Sequence, residues 1–551
     1  MIRETLQKII LEGVQKACPG AVPTIELTVP ANLAFWDFTT NVAMILAGRL
    51  KEKPQALALR IKDAITDTLG LLQSVTIAGP GFLNFTVAPA KWIASLQEIF
   101  SAGSAFGTNH DFAGKKAVVE FVSANPTGPL HIGNARGGPL GDAVASLLAN
   151  AGYEVTREFY VNDVGGQIDK LGESILAYLK GNEGGEDLGY KGGYVKDLAD
   201  LARKKFGNID GQKEAVSRLG LFGIQILTDE VRRDCDDLGI RFDSWIHEKD
   251  ILGTGVTKKI LDILKKKKSV VEKEGATWFA PQGEAGEDRE SVLERSDGGR
   301  PTYFANDIAY HAQKYDRGFD KLVNVWGSNH HGHVSRIKSA MSVLGHDPEK
   351  IETVLYQYVR VKRGDEAIKM SKRGGNFVTA REVLDEVGRD AFRFFLLLRS
   401  PEAHLDFDLE LAKKQSSDNP VYYIQYAHAR ISSILGKAKE AGLEAPSRFD
   451  PAYVSLLILP EEVALARRLQ DYPEILRLAT KDLAPHRVCY YILDLARSFQ
   501  SYYDRAREDD AYRVITDNRE RTRAKLFLLL CVRQVIRNAF GILGISAPEK
   551  M

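Results

Sequence analysis

Cysteine is scarce in this chain and never clustered. The four, Cys18, Cys235, Cys489 and Cys531, are scattered through 551 residues with no CxxC spacing. That argues against a structural zinc site and for reduced core thiols in a cytoplasmic protein. Long apolar runs are missing as well. The longest, Leu526 to Val532, falls far below the roughly 18 residues that a membrane span requires. The start, MIRETLQKII, lacks the basic-then-apolar layout of a secretory signal. Excess charge is also absent: 74 Lys and Arg against 73 Asp and Glu leave a formal net charge of +1. Any nucleic-acid partner must then be held by local basic surfaces rather than a basic bulk. With 44% hydrophobic and 27% charged residues, what remains is a soluble, globular chain long enough for several domains with large cores.

The stretch Glu120 to Asp142, EFVSANPTGPLHIGNARGGPLGD, is the point around which the rest is organised. An apolar strand, Ala117 to Val122, leads into a turn marked by Asn125-Pro126 and Gly128-Pro129. Leu130-His131-Ile132-Gly133-Asn134 follows, and then a helical run through Leu140, Val144, Leu147 and Leu148. Strand, tight turn and Gly-rich helix start is how α/β proteins present unpaired N–H groups to phosphate. His131 adds a side-chain donor, and Gly133 is expected to let a nucleotide ring approach the backbone.

Around this segment the chain divides into three units. Residues 1–105 read as a small α+β domain, with Leu6, Ile9, Ile10 and Val14 at helical spacing. Ile25 to Val29 alternates like a strand, Asp37 to Leu50 reads as a helix, and Ile77 to Val87 as a strand pair or a strand kinked at Gly-Pro-Gly. Residues 115–408 form an α/β unit. Glu154 to Asp163 is its second strand, so a βαβ crossover and parallel pairing are expected. Residues 165–295, helical and charge-rich, read as an insertion between the two halves of the sheet. Leu322 to Gly327 and Val354 to Val361 are later strands, and Thr379 with Glu382 forms a capping box before the next helix. Residues 416–551 are helical, opened by Asn419-Pro420 as cap and first position and Arg-rich near the end.

A second cationic segment, Lys369-Met370-Ser371-Lys372-Arg373-Gly374-Gly375, lies far downstream. Together the two segments resemble the HIGH and KMSK motifs of class I aminoacyl-tRNA synthetases. The extended form Ala124 to Asn134 is similar to bacterial-type arginyl-tRNA synthetases, as are Trp36 to Asn41 and GPGFLNF in the first unit. The resemblance runs over nearly the whole chain. It implies an α/β fold: a Rossmann-like parallel-sheet catalytic domain, a small N-terminal domain touching the tRNA corner, and an all-α anticodon-binding domain. It implies activation of L-arginine with ATP and transfer to tRNA(Arg), with Mg²⁺ carried in on the phosphates and no protein-caged metal. A monomer with no membrane contact is expected. Two positions depart from the pattern: Asn134 replaces the second His of HIGH, and Arg373 replaces the Ser that ends KMSKS.

Activation needs positioning and charge neutralisation more than a strong base, because the attacking carboxylate is already ionised. The resemblance assigns His131, Lys369 and Lys372 to catalysis, and ATP to His131, Gly133, Asn134, His330, His331 and Lys369-Met370-Ser371-Lys372. A guanidinium calls for carboxylates placed for bidentate bonds. The matching positions are Glu120 and Asp307, with Tyr303 alongside, Asn125 at the α-amino or carboxylate end, and Asn329 lining the same pocket. Tyr303 and Asp307 are i, i+4, on one helix face. His330-His331-Gly332-His333 is a weak zinc pattern without Cys or a further acid. A small-molecule nucleotidyltransferase or a non-catalytic RNA-binding paralogue is the alternative. The helical C-terminal unit opposes the first, and the presence of His131, Lys369 and Lys372 opposes the second.

Overall fold

A computed structural model describes the chain from Met1 to Met551 apart from residues 30–35, 183–187, 208, 210, 212–213, 282–290, 297–298, 365 and 369–377. Its centre is a five-stranded parallel sheet of β1 (Lys116–Phe121), β2 (Glu154–Val161), β3 (Ser244–His247), β4 (Lys321–Gly327) and β5 (Ile351–Tyr356), in the order β5-β4-β1-β2-β3. The order reverses between β1 and β4, so a crevice opens beyond their carboxyl ends, where α/β sheets bind ligands. Strand β1 is buried on both faces, which is why it reads as an almost unbroken apolar run.

Helix α1 (Gly137–Asn150) covers one face, the side of Val119 and Phe121. It approaches so closely that a Cβ on Gly141 would lie 2.1 Å from the Phe121 ring. Helix α2 (Tyr303–Asp316) covers the other face, where Ile308 packs with Val118 and Leu322. Glu120 shares that face by strand alternation.

The stretch 165–295 does not stand wholly outside the sheet. Three helices, Gly166–Leu179, Gly193–Phe206 and Ala215–Asp237, form a subdomain with its own core. Strand β3 then follows within the stretch and pairs with β2. It is short, at the edge and only half buried, so it lacks the apolar run that marks a core strand. The stretch is therefore a long crossover that contains one strand of the first half of the sheet. It also carries a small antiparallel sheet, Val270–Lys273, Ala276–Phe279 and Val292–Glu294.

Smaller expectations shift too. Ile25 to Val29 forms only a single bridge, Thr28 to Thr39, and Phe38–Thr40 is a strand on Phe82–Val87, so the helix starts at Val42. The hairpin Leu72–Ala78 with Phe82–Val87 turns at Gly79 and Gly81, both at positive φ. Val354 to Val361 is split between β5 and a strand Val359–Arg363, which pairs in parallel with Leu405–Asp408. The capping box at Thr379 and Glu382 forms, with both reciprocal bonds. Asn419 caps the helix Pro420–Glu440 with its side chain.

The helix Arg519–Leu543 is long and apolar enough to cross a membrane by composition alone. Here it is the core of the C-terminal bundle, with Leu526, Phe527, Leu528 and Leu529 fully buried. Part of the Arg-rich end is neutralised locally: Arg505, Arg507, Arg513 and Arg537 pair with acids of the same unit. All four cysteines are buried and unpaired.

Candidate active site

The site begins where β1 ends. Val122 and Ser123 both take left-handed backbone, at φ 66° and 39°. That is a costly conformation for a β-branched residue, and one that concentrates at functional turns. The kink is held by Ser123, whose Oγ accepts from the Tyr160 N–H at 3.1 Å on the neighbouring strand.

His131 caps the short helix Ile132–Ala135. Its Nδ1 accepts from the Gly133 N–H at 2.9 Å. A nitrogen that accepts carries no proton, so the neutral ring is the Nε2–H tautomer. Gly133 has a nearer reason to be glycine than room for a nucleotide: a Cβ there would sit 3.0 Å from His131 Nδ1. Asn134 is exposed, and its carbonyl accepts from the Tyr356 hydroxyl at 3.5 Å.

Lys369, Met370, Ser371, Lys372 and Arg373 lie outside the described residues. The chain on either side of them is well placed. On the entering side Ile368 N–H donates to Val361 O at 2.9 Å. On the leaving side Thr379 bridges His131, Ile132 N–H donates to Val378 O at 3.2 Å, and Ala380 N–H donates to Leu130 O at 2.7 Å. Arg136, which sequence reasoning passed over, ties the same region together. Its buried guanidinium donates to Gln357 O, Ser400 O and Ala403 O at 2.8 to 3.0 Å, and burial pulls it down to about 10.

The opposite wall is acidic. Glu120 does not stand open: its Oε2 accepts from Lys314 Nζ at 2.8 Å, with both side chains buried. Asp307 is buried between two imidazoles, His311 Nδ1 at 3.0 Å and a short contact from His333 Nε2. Burial alone would raise its carboxyl, but the two histidines hold it well below the usual range. Tyr303, one turn earlier, is about half exposed and faces His333 across 6.3 Å.

Glu248, just after β3, was not anticipated. Asn306 donates to its Oε1 at 2.7 Å, in an amide orientation fixed by Thr257. Its Oε2 and the neighbouring Tyr160 hydroxyl are buried without a well-formed hydrogen bond. Burial, helped by Asp163 and Asp307, pushes Glu248 up to about 7. Tyr160 is itself driven well above its ordinary value by burial and by Glu248, Asp307, Tyr303 and Glu120. These residues therefore lie within electrostatic reach of one another. No local sequence pattern marks Glu248; a carboxylate directly after a parallel strand would have been the only cue.

Asn125 is exposed on the turn after β1, and Asn329 is exposed after β4, with its Oδ1 placed over Gly327. The two candidate adenine histidines point to different places. His330 packs near Trp326 and His333, whereas His331 lines a cavity with Lys481 and His486 of the C-terminal helices. His333 is committed to Asp307, and no group of three metal-ligating side chains occurs among the described residues.

Family models match along most of the chain. The arginyl tRNA synthetase N terminal domain matches residues 4–87, the class I (R) tRNA synthetase catalytic domain matches 95–396, and the DALR anticodon binding domain matches 424–551. The chain is 44% identical to an arginine–tRNA ligase of Citrifermentans bemidjiense and 43% identical to that of Syntrophotalea carbinolica, each over all of both chains. The solved structure of Thermus thermophilus arginyl-tRNA synthetase shares the fold, with a TM-score of 0.77 over 100% of both chains at 24% identity.

Proposed function

Since the chain belongs to the class I arginyl-tRNA synthetases, ligases that aminoacylate tRNA(Arg), we propose how its own residues divide the reaction. ATP lies over the start of the HIGN helix. The Nε2–H of His131 donates to a phosphate oxygen, Gly133 and Asn134 line the approach, and His330 or His331 meets adenine. Lys369 and Lys372, with Met370 and Ser371, neutralise the β- and γ-phosphates; Mg²⁺ arrives on those phosphates as part of the substrate. The backbone clamp of Val378 to Ala380 against Leu130 to Ile132 supports this reading, because it holds the chain that follows the lysine segment against the His131 turn.

Arginine lies along α2. Its guanidinium meets Asp307, with Glu120 and Glu248 to either side and Tyr303 packed against the stem. Asn125 and Asn329 hold the α-amino and carboxylate end. The arginine carboxylate oxygen bonds to the α-phosphorus while the bond to pyrophosphate breaks. A terminal ribose hydroxyl of the tRNA then attacks the carbonyl, losing its proton, and AMP leaves. Residues 1–105 contact the tRNA, 115–408 carry the chemistry and 416–551 hold the anticodon. The enzyme acts as a monomer in the cytoplasm, where its four thiols stay reduced.

The observation that supports the arginine assignment is Asp307, buried between His311 and His333 one turn after Tyr303, with Glu120 and Glu248 within electrostatic reach. A charging assay with total tRNA and each amino acid tests it. Arginine alone should be esterified, and charging of another amino acid in its place rejects the pocket. Running ATP–pyrophosphate exchange with and without tRNA then shows whether activation requires the nucleic acid.

A further inference from the structure

Asn324 lies in the middle of β4, fully buried, directly across from Glu120 on β1 and on the same face of the sheet. A polar side chain there costs stability unless all its hydrogen-bonding groups are used. They are used in one direction. Lys314 Nζ donates to Asn324 Oδ1 at 3.1 Å and to Glu120 Oε2 at 2.8 Å, and its ammonium lies 4.1 Å from the Tyr310 ring centre. An ammonium has only protons to offer, so it must face the amide oxygen. The Asn324 NH₂ is thereby turned toward His311 Nε2, 3.0 Å away. That nitrogen must accept, so His311 is neutral and carries its proton on Nδ1. Nδ1 faces Asp307, 3.0 Å from Oδ1 and 2.9 Å from the backbone carbonyl.

We infer that Asn324 is a positioning residue for the amino-acid substrate: by setting the tautomer of His311, it aims Asp307. The two acids of the pocket are thereby made unequal. Lys314 offsets the charge of Glu120, whereas the neutral His311 imidazole gives Asp307 a hydrogen bond and no charge, beside the contact from His333. The inference rests on the reading that Asp307 receives the guanidinium.

The test compares Asn324→Asp with Asp307→Asn in steady-state aminoacylation by the full-length enzyme. An aspartate at 324 still accepts from Lys314 but has no proton for His311 Nε2. The imidazole then either reverses its tautomer against Asp307 or gains a second proton and competes with arginine. For Asn324→Asp the Michaelis constant for arginine should rise about tenfold or more, with kcat and the constant for ATP within about threefold. If Asp307→Asn leaves the arginine constant unchanged, the pocket assignment fails and takes the relay with it. If Asp307→Asn raises the constant and a folded Asn324→Asp does not, the relay alone is wrong. Nitrogen NMR of histidine-labelled wild-type enzyme decides the matter without any variant. It should show a buried imidazole in the Nδ1–H form. A His311 signal protonated on Nε2 or on both nitrogens overturns the inference.

Discussion

The two walls of the crevice are held by different means. On the nucleotide side the contacts are main-chain: the His131 ring is fixed by the Gly133 amide, Leu130 to Ile132 pair with Val378 to Ala380, and Arg136 grips three carbonyls. On the amino-acid side they are side-chain to side-chain, in a buried run from Glu120 through Lys314, Asn324 and His311 to Asp307. Backbone clamps tolerate variation in the side chains they hold. A side-chain relay is specific to its members, because each one sets the protonation of the next.

The largest effect that would sharpen this contrast is in kcat. Lys372→Ala should lower turnover by about a hundredfold or more, since it removes a cation acting on developing phosphate charge, while tRNA affinity measured by filter binding stays near wild type. Equal losses in both would move Lys372 from chemistry to RNA binding. On the other wall, Asp307→Asn should raise the Michaelis constant for arginine by about ten- to hundredfold and that for ATP far less. The reverse order would exchange the roles given to the two walls.

Glu248 offers a stability test. Burial pushes its folded carboxyl up to about 7, above the ordinary glutamate value of about 4.3. The folded state therefore binds more protons in that window, and stability falls as pH rises through it. Glu248→Gln removes the ionisable group. The variant should gain on wild type by about 1 to 3 kcal/mol between about pH 4.5 and 7.5, read from denaturant unfolding at each pH. Parallel pH profiles for the two proteins would show that burial does not strain this acid.

The smallest effect belongs to the kink that opens the nucleotide side. Val122 is buried at φ 66°, so its two truncations should rank unusually. Val122→Gly should be more stable than Val122→Ala by about 1 kcal/mol, because glycine alone is at ease there. The ordinary ranking, with alanine ahead, would mean that the turn relaxes and stores no strain.

The nucleotide side was the more legible of the two in sequence, and the contrast above explains it. HIGN and KMSKR are each contiguous in sequence, and the cap at His131 acts within two residues. The Asn419-Pro420 cap and the Thr379–Glu382 box were readable for the same reason. The amino-acid side gave two carboxylates, Tyr303, Asn125 and Asn329, but none of the relay that joins the carboxylates. That Glu120 is paired with a lysine 194 residues away, and that Glu248 joins the pocket, could not be read locally. Strand β3 was missed because an edge strand with half-buried residues carries no periodic signal.

Patterning and short motifs by themselves determined the family and the parallel sheet. The folded arrangement alone decided which charges in the crevice remain available. A carboxylate's charge depends on what stands within a few ångströms of it, and here those neighbours come from β1, β4 and α2, brought together only when the sheet closes over its helix.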